Sequence, residues 1–394
     1  MRVLTFLHSF EPGGVERVAL RLIARWRAMG VDAPLFMGRD SGALGPELAK
    51  NLDYAVPDRP PLGSAWCETA WMVTKLPAHI RETRPDVLFC AGSTYTIVAL
   101  AMKLILGSAC PPVVVKISND LARADLPFAA RIFWLLWLRI LARFVDRWIV
   151  MDEAIATEVI AKIGDVVHTV IADPAIDSVP FLRPNPLRQT GPDSPPGISP
   201  GTSFVAVGRL VPQKNHAEML AAFADARGPH DRLTIIGDGP LRGALERQAR
   251  RLGIARQVCF VGHVPNAARA MLSYDALLLT SRYEGIPAVL VEALVGGLRI
   301  IATDCGIGVR SLLDDGRLGQ LVLRNDRVAL ASAIAAAPAM RLNPAAARRR
   351  AAVFTLDQSA PLYLDAIRQT VPAADPVADP RPMPNRIPAW EHAA

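Results

Sequence analysis

The chain has 394 residues, 51% of them apolar and 21% charged, which is too long for one ordinary core and too apolar for general disorder. Two globular domains are therefore expected. The formal net charge of +7 favours anionic partners, and nucleotide diphosphates, acidic lipid surfaces and nucleic acid all qualify, but no zinc-finger spacing or basic run with interleaved aromatics supports nucleic acid.

The stretch from Met1 to Phe10 holds one Arg and a short apolar run without a small-residue cleavage site. It reads as a first strand, Arg2–Leu7, rather than a signal peptide. A Gly-containing loop follows. Val15, Val18, Ala19, Leu22, Ile23 and Trp26 then make one apolar helical face, closed by Gly30. Asp86–Cys90, Pro112–Ile117 and Arg147–Met151 are further strands, each followed by a helical pattern. Phe128–Val150 is rich in Trp and Leu, with Arg at 131, 139, 143 and 147, and two readings stay open for it. It is a basic, aromatic helix lying in a membrane interface, or an ordinary helix buried against the sheet and followed by a strand. No stretch reaches the roughly 18 uncharged apolar residues a spanning helix needs. The five cysteines are scattered, with no CxxC, and read as reduced, cytosolic thiols.

Residues 172–202 hold eight prolines and no periodicity, so they read as a linker. The strand-helix rhythm restarts at Phe204, with FVAVGRL, LTIIGDG, QVCFVGHV, ALLLTS and RIIATD as strands separated by helices of ten to fifteen residues. An Ala/Arg-rich helix follows Met340, with a short one near Asp357–Gln369 and a Pro-rich tail expected to be disordered. Alternating strands and helices in both halves imply parallel sheets wrapped by helices. The expected organisation is an N-terminal Rossmann-like domain (1–172), a linker (173–203) and a C-terminal Rossmann-like domain (204–355). A helix at 356–370 returns to the N-domain, and the tail covers 371–394.

Such sheets bind ligands at their strand C-termini, and four loops there carry candidate chemistry. In His8-Ser-Phe-Glu-Pro-Gly-Gly-Val-Glu16, Gly13 and Gly14 allow close backbone approach, and the next helix presents free N–H groups suited to phosphate. The alternative is a plain strand-to-helix turn. In Gly208-Arg-Leu-Val-Pro-Gln-Lys-Asn215, Arg209 and Lys214 can converge on a diphosphate, or be two solvated cations. Gly237-Asp-Gly-Pro240 is a tight turn or a ligand contact. In Glu284-Gly-Ile-Pro-Ala-Val-Leu-Val-Glu292, Glu284 precedes a helix begun by Pro287 and Glu292 lies inside it. A carboxylate in so apolar a helix needs a partner, either a ribose diol or a neighbouring Arg.

The set GGVE, GRLVPQKN, GDGP, EGIPAVLVE and DCGIGVRSLLDDG, in this order, resembles glycosyltransferase family 4, the retaining enzymes of GT-B fold. The resemblance covers about residues 1–370 and is most specific in 204–322. It implies an α/β fold of two Rossmann-like domains facing each other across a donor-binding cleft. Arg209 and Lys214 would hold the donor diphosphate, Glu284 would contact the transferred sugar and Glu292 the ribose, with Arg209, Lys214 and Glu284 the catalytic set. Backbone at Gly13, Gly14, Gly237, Gly285, Ile286 and Ala288 would line the phosphates, and His263 and Val264 would flank the nucleobase. Glu16 and Asn119 are the acceptor-side candidates. The resemblance implies no metal and no cofactor beyond the nucleoside diphosphate sugar.

Three positions depart from the family pattern. Ser118 or Asn119 stands where an N-domain His is usual, Ser311 where a Glu is, and Ala172-Asp173-Pro174 where an Asn-Pro is typical. The resulting expectation is a cytoplasmic enzyme, at the inner face of the plasma membrane if the aromatic helix contacts anionic lipid. It would move a sugar to a glycan or lipid-linked glycan in bacterial surface polysaccharide synthesis. The alternatives are a GT-B-type sugar nucleotide epimerase and a catalytically degenerate nucleotide-sugar-binding scaffold. The scarcity of His argues against the first, and intact Arg209, Lys214, Glu284 and Glu292 against the second.

Overall fold

The computed structural model describes residues 1–11, 13–57, 65–117, 127–177 and 201–371. The N-terminal half contributes strands β1 (Val3–Leu7), β2 (Leu35–Met37), β3 (Val87–Cys90), β4 (Val113–Lys116), β5 (Arg147–Val150) and β6 (His168–Val170). Its helices are α1 (Gly14–Ala28), α2 (Ala65–Thr83), α3 (Thr96–Leu106), α4 (Phe128–Ala142) and α5 (Glu153–Ile163). The strands form one parallel sheet in the order β2-β1-β3-β4-β5-β6. β1 and β3 through β5 are nearly continuous buried apolar runs, as expected for strands covered by helices on both faces. Val18, Ala19, Leu22, Ile23 and Trp26 of α1 are all buried, so the face read from the sequence is the face that packs.

The second sheet, also parallel, runs β12-β11-β10-β7-β8-β9. Its strands are β7 (Ser203–Val207), β8 (Arg232–Ile236), β9 (Val258–Gly262), β10 (Ala276–Leu279), β11 (Arg299–Thr303) and β12 (Gln320–Val322). The helices here are α6 (His216–Ala226), α7 (Arg242–Arg251), α8 (Ala267–Met271), α9 (Ala288–Gly296), α10 (Ile307–Leu312), α11 (Arg327–Ala336) and α12 (Pro344–Ala352). α8 and α10 are single or double turns, shorter than the ten to fifteen residues expected. The three-residue strands β2, β6 and β12 carry too little pattern to be read from the sequence. The Pro-rich stretch 178–200 and the tail 372–394 lie outside the described residues.

A last helix, α13 (Leu356–Arg368), follows the second domain in sequence but packs in the core of the first. The Trp26 indole N–H donates to the carbonyl of Ala360 at 3.1 Å, and Tyr363 lies edge-on to Phe89. Beneath it, Lys116 is 1% exposed and its Nζ sits 2.5 Å from Asp173, which also accepts the Tyr363 hydroxyl at 2.7 Å. This explains the departure at Asp173: a carboxylate, rather than an amide, neutralises a fully buried lysine.

α4 buries one side and exposes the other. Only Leu138 and Leu141 of this helix are buried, while Phe128, Ile132, Phe133, Leu136 and Ile140 are exposed, with Phe128 at 76% and Phe133 at 73%. Trp134 and Trp137 of the same helix pack partly buried against the core of the first domain. Among the described residues no helix is long and apolar enough to cross a membrane.

Candidate active site

Each sheet reverses its strand order once, between β1 and β3 in the first and between β7 and β10 in the second. At such a reversal the loops leaving neighbouring strands diverge to opposite faces and open a crevice beyond the strand C-termini. The candidate loops after β1, β7 and β10 leave at these two crevices, and the Gly237 loop follows β8 beside β7.

In the second domain, the loops after β7 and β10 are stitched together. The Thr280 hydroxyl donates to the carbonyl of Lys214 at 3.1 Å, and the Arg282 N–H donates to Gln213 at 2.8 Å. This brings Lys214 Nζ to 2.5 Å from Glu284 Oε1, a pair formed by half-buried and buried side chains. Arg209 is exposed and forms no salt bridge among the described residues. The same crowding explains Gly237. Its N–H donates to Gly262 at 2.7 Å, its φ is 136°, and a Cβ there would lie 2.0 Å from the carbonyl of Gly208. The glycine is thus required by the neighbouring loop and by left-handed backbone, the tight-turn reading. His216, at the start of α6, is buried, and burial with the Lys214 charge lowers its pKa to about 4, so it stays neutral.

The Glu284–Gly285–Ile286 segment is clamped from the next loop. A Cβ at Gly306 would lie 2.4 Å from the Glu284 carbonyl, and one at Gly308 would lie 2.5 Å from that of Gly285. Pro287 caps α9, placing the amides of Ala288 and its neighbours at the crevice. Ile286 touches the hydrophobic cores of both domains, so this loop also forms part of their contact. Every α9 residue from Val289 to Gly296 is buried except Glu292, which is half-buried. Burial raises its pKa, opposed by the positive charges of Arg21 and Arg17 on α1. Neither arginine makes a salt bridge with it: Arg17 pairs with Glu47 at 2.8 Å, and the Arg21 guanidinium donates to the Ala175 carbonyl at 2.6 Å. Glu292 thus makes no salt bridge to either arginine, while both positive charges of α1 act on it. His263 is exposed and Val264 half-buried just beyond β9.

In the first domain, Gly13 caps α1 and Gly14 is its first residue. The two glycines differ. A Cβ at Gly14 would meet nothing within 4 Å, whereas one at Gly13 would fall 2.0 Å from Glu16 Oε2. The open face of Gly13 is thus taken up by a side chain of the same helix. The other Glu16 oxygen accepts the Tyr95 hydroxyl at 2.8 Å, and Tyr95 is 1% exposed. His8, at the end of β1, lies with its ring 4.7 Å from that of Tyr95. Burial and then the Arg39 charge lower its pKa to about 4. Asn119 lies outside the described residues. Tyr95, Arg17 and Arg21 were not singled out from the sequence, since no motif marks them. Their roles arise from strand order and helix facing.

A family model described as Glycosyltransferase Family 4 matches residues 12–177, and one described as Glycosyl transferases group 1 matches residues 201–337. The protein EpsF of Bacillus subtilis is 40% identical over 100 residues, 25% of this chain and 26% of that protein. The N-acetylgalactosamine-N,N'-diacetylbacillosaminyl-diphospho-undecaprenol 4-alpha-N-acetylgalactosaminyltransferase of Campylobacter jejuni is 31% identical over 119 residues, 30% of this chain and 32% of that protein. These matches span a quarter to a third of the relatives' own length. Among solved structures, Anabaena Alr3699/HepE in complex with UDP aligns with a TM-score of 0.73 at 20% identity, covering 94% of this chain and 100% of that one. The shared fold is GT-B.

Proposed function

We propose that this chain, which belongs to the group 1 glycosyltransferases of family 4, moves a hexosyl or related sugar from a nucleoside diphosphate sugar to a glycan or lipid-linked glycan with retention. The observation that carries the reading is the grouping of exposed Arg209 and the Lys214–Glu284 pair at one strand-order reversal, with unpaired Glu292 on the helix that follows. Arg209 and Lys214 neutralise the departing diphosphate, Glu284 positions the transferred sugar, and Glu292 accepts hydrogen bonds from the ribose hydroxyls. Amides at Gly285, Ile286 and Ala288 complete the phosphate cradle, and His263 with Val264 flanks the base. Positioning two substrates between closing domains and stabilising charge on the leaving group are the rate-enhancing terms. The residues supply this charge without a metal.

The acceptor enters on the N-domain side, past Glu16. The exposed apolar face of α4, flanked by Arg139 and Arg143, rests on an anionic membrane and brings lipid-linked acceptors within reach. On this reading the protein works in the cytoplasm at the inner face of the plasma membrane, in surface polysaccharide synthesis. The test is a thermal-shift screen against UDP, GDP and ADP, with UDP first because the similar HepE structure holds it. Hydrolysis of matching nucleotide sugars follows. Stabilisation by a nucleoside diphosphate and slow release of its sugar are expected; indifference to all three nucleotides would overturn the reading.

A further inference from the structure

Glu16 sits where a second anion is unwelcome. Its carboxylate lies in the first turn of α1, with one oxygen against Gly13 and the other accepting from Tyr95. A carboxylate there is favoured by the helix dipole, and beyond the Tyr95 hydroxyl it has lone pairs left for further donors. Tyr95 is fully buried, follows β3 across the strand-order reversal from His8, and meets Glu16 through that hydroxyl. His8 donates its backbone N–H weakly to the same oxygen at 3.4 Å, so the three residues form one connected group.

We propose that Glu16 binds a hydroxyl of an uncharged pyranose in the acceptor, that Tyr95 is its positioning residue, and that the carboxylate discriminates against acidic sugars. This rests on the transferase reading with the acceptor on the N-domain side, and deepens it by naming the sugar class. The chemistry is direct: a fixed carboxylate accepts from neutral hydroxyls and repels a uronate, with little screening in a partly buried site. Tyr95 touches no substrate. Without its hydroxyl, Glu16 loses the bond that fixes its rotamer.

The experiment titrates the nucleotide-loaded protein with methyl glucopyranoside and methyl glucuronoside, read by saturation-transfer NMR, and repeats both titrations without nucleotide. Wild type should bind the neutral glycoside and exclude the glucuronoside. Glu16→Gln should weaken the neutral sugar about fivefold or more while admitting the glucuronoside, a change of preference that loss of folding does not produce. Tyr95→Phe should weaken the neutral sugar in the same sense while leaving nucleoside diphosphate affinity unchanged. Equal binding of both glycosides to wild type, binding of neither, or a preference unchanged in Glu16→Gln would overturn the proposal. Loss of nucleotide binding alone, with sugar discrimination kept, counts instead against the transferase reading.

Discussion

Four charged side chains at the second domain's crevice differ in how completely the protein satisfies them. Lys214 and Glu284 neutralise one another before any ligand arrives, while Arg209 and Glu292 have no salt bridge among the described residues. On the proposed function, Arg209 and Glu292 find their charge partners in the donor, and Lys214 shares its charge between Glu284 and the diphosphate. Arg209→Ala and Lys214→Ala should each remove about 2–4 kcal/mol of transition-state stabilisation, the scale of losing an electrostatic catalyst. Steady-state kinetics should show this mainly in kcat, and near wild-type turnover in both variants would remove them from the site. Glu292→Gln keeps the shape but loses a charge-assisted bond worth about 1.5–3 kcal/mol. Nucleoside diphosphate affinity should then fall roughly ten- to a hundredfold. A 2′,3′-dideoxy nucleotide should bind wild type as weakly as the variant binds the normal one, without additivity. Calorimetric titration of both proteins with both nucleotides decides it, and additive losses would separate Glu292 from the ribose. These residues were legible in the sequence because their loops are short and contiguous. The occupation of Gly13 by Glu16 was not, since only the rotamer of a residue three positions on determines it.

Two helices show where element-level reading succeeds and stops. The composition of α4 left its orientation open, because an aromatic, basic helix satisfies either a buried or an interfacial place. The structure turns its Phe and Ile residues outward. The protein should therefore bind vesicles containing anionic lipid and release at high salt, as screened attraction requires. Equal partition onto neutral vesicles would remove the electrostatic component, and no binding to either would leave α4 without a membrane role. α13 is plain as a helix in the sequence, yet its partner lies over 300 residues away in chain order, where Trp26 meets Ala360. Asp173→Asn should keep the bond to Tyr363 but strand the charge of Lys116, at a cost of about 3–5 kcal/mol. Urea denaturation should show this as a lower midpoint, whereas an unchanged midpoint would mean that Lys116 is not held as a buried cation.

At the scale of the whole molecule, the two domains meet at polar as well as apolar contacts. The Ser311 hydroxyl on α10 donates to Asp152, the residue capping α5, at 2.8 Å, and Arg350 on α12 reaches both. This gives a physical reason for Ser where the family usually carries Glu: a second carboxylate would stand against Asp152. The same helix begins at the glycines that clamp Glu284 and Gly285, so the domain contact and the site loop share one rigid element. Asp152→Ala should widen the average separation of the domains, seen as a larger radius of gyration in small-angle scattering. An unchanged radius would show that the contact contributes nothing to closure. From its strand-end motifs and helical periodicity, the amino-acid sequence alone determined two parallel α/β domains and the loops that carry Arg209, Lys214, Glu284 and Glu292, because these signals are local. Tertiary structure decided the strand order that sets the two crevices opposite the loops, the approach of the α1 arginines to Glu292, the exposure of α4 and the return of α13. Each depends on which apolar surfaces find one another across long chain separations, a choice that no local pattern encodes.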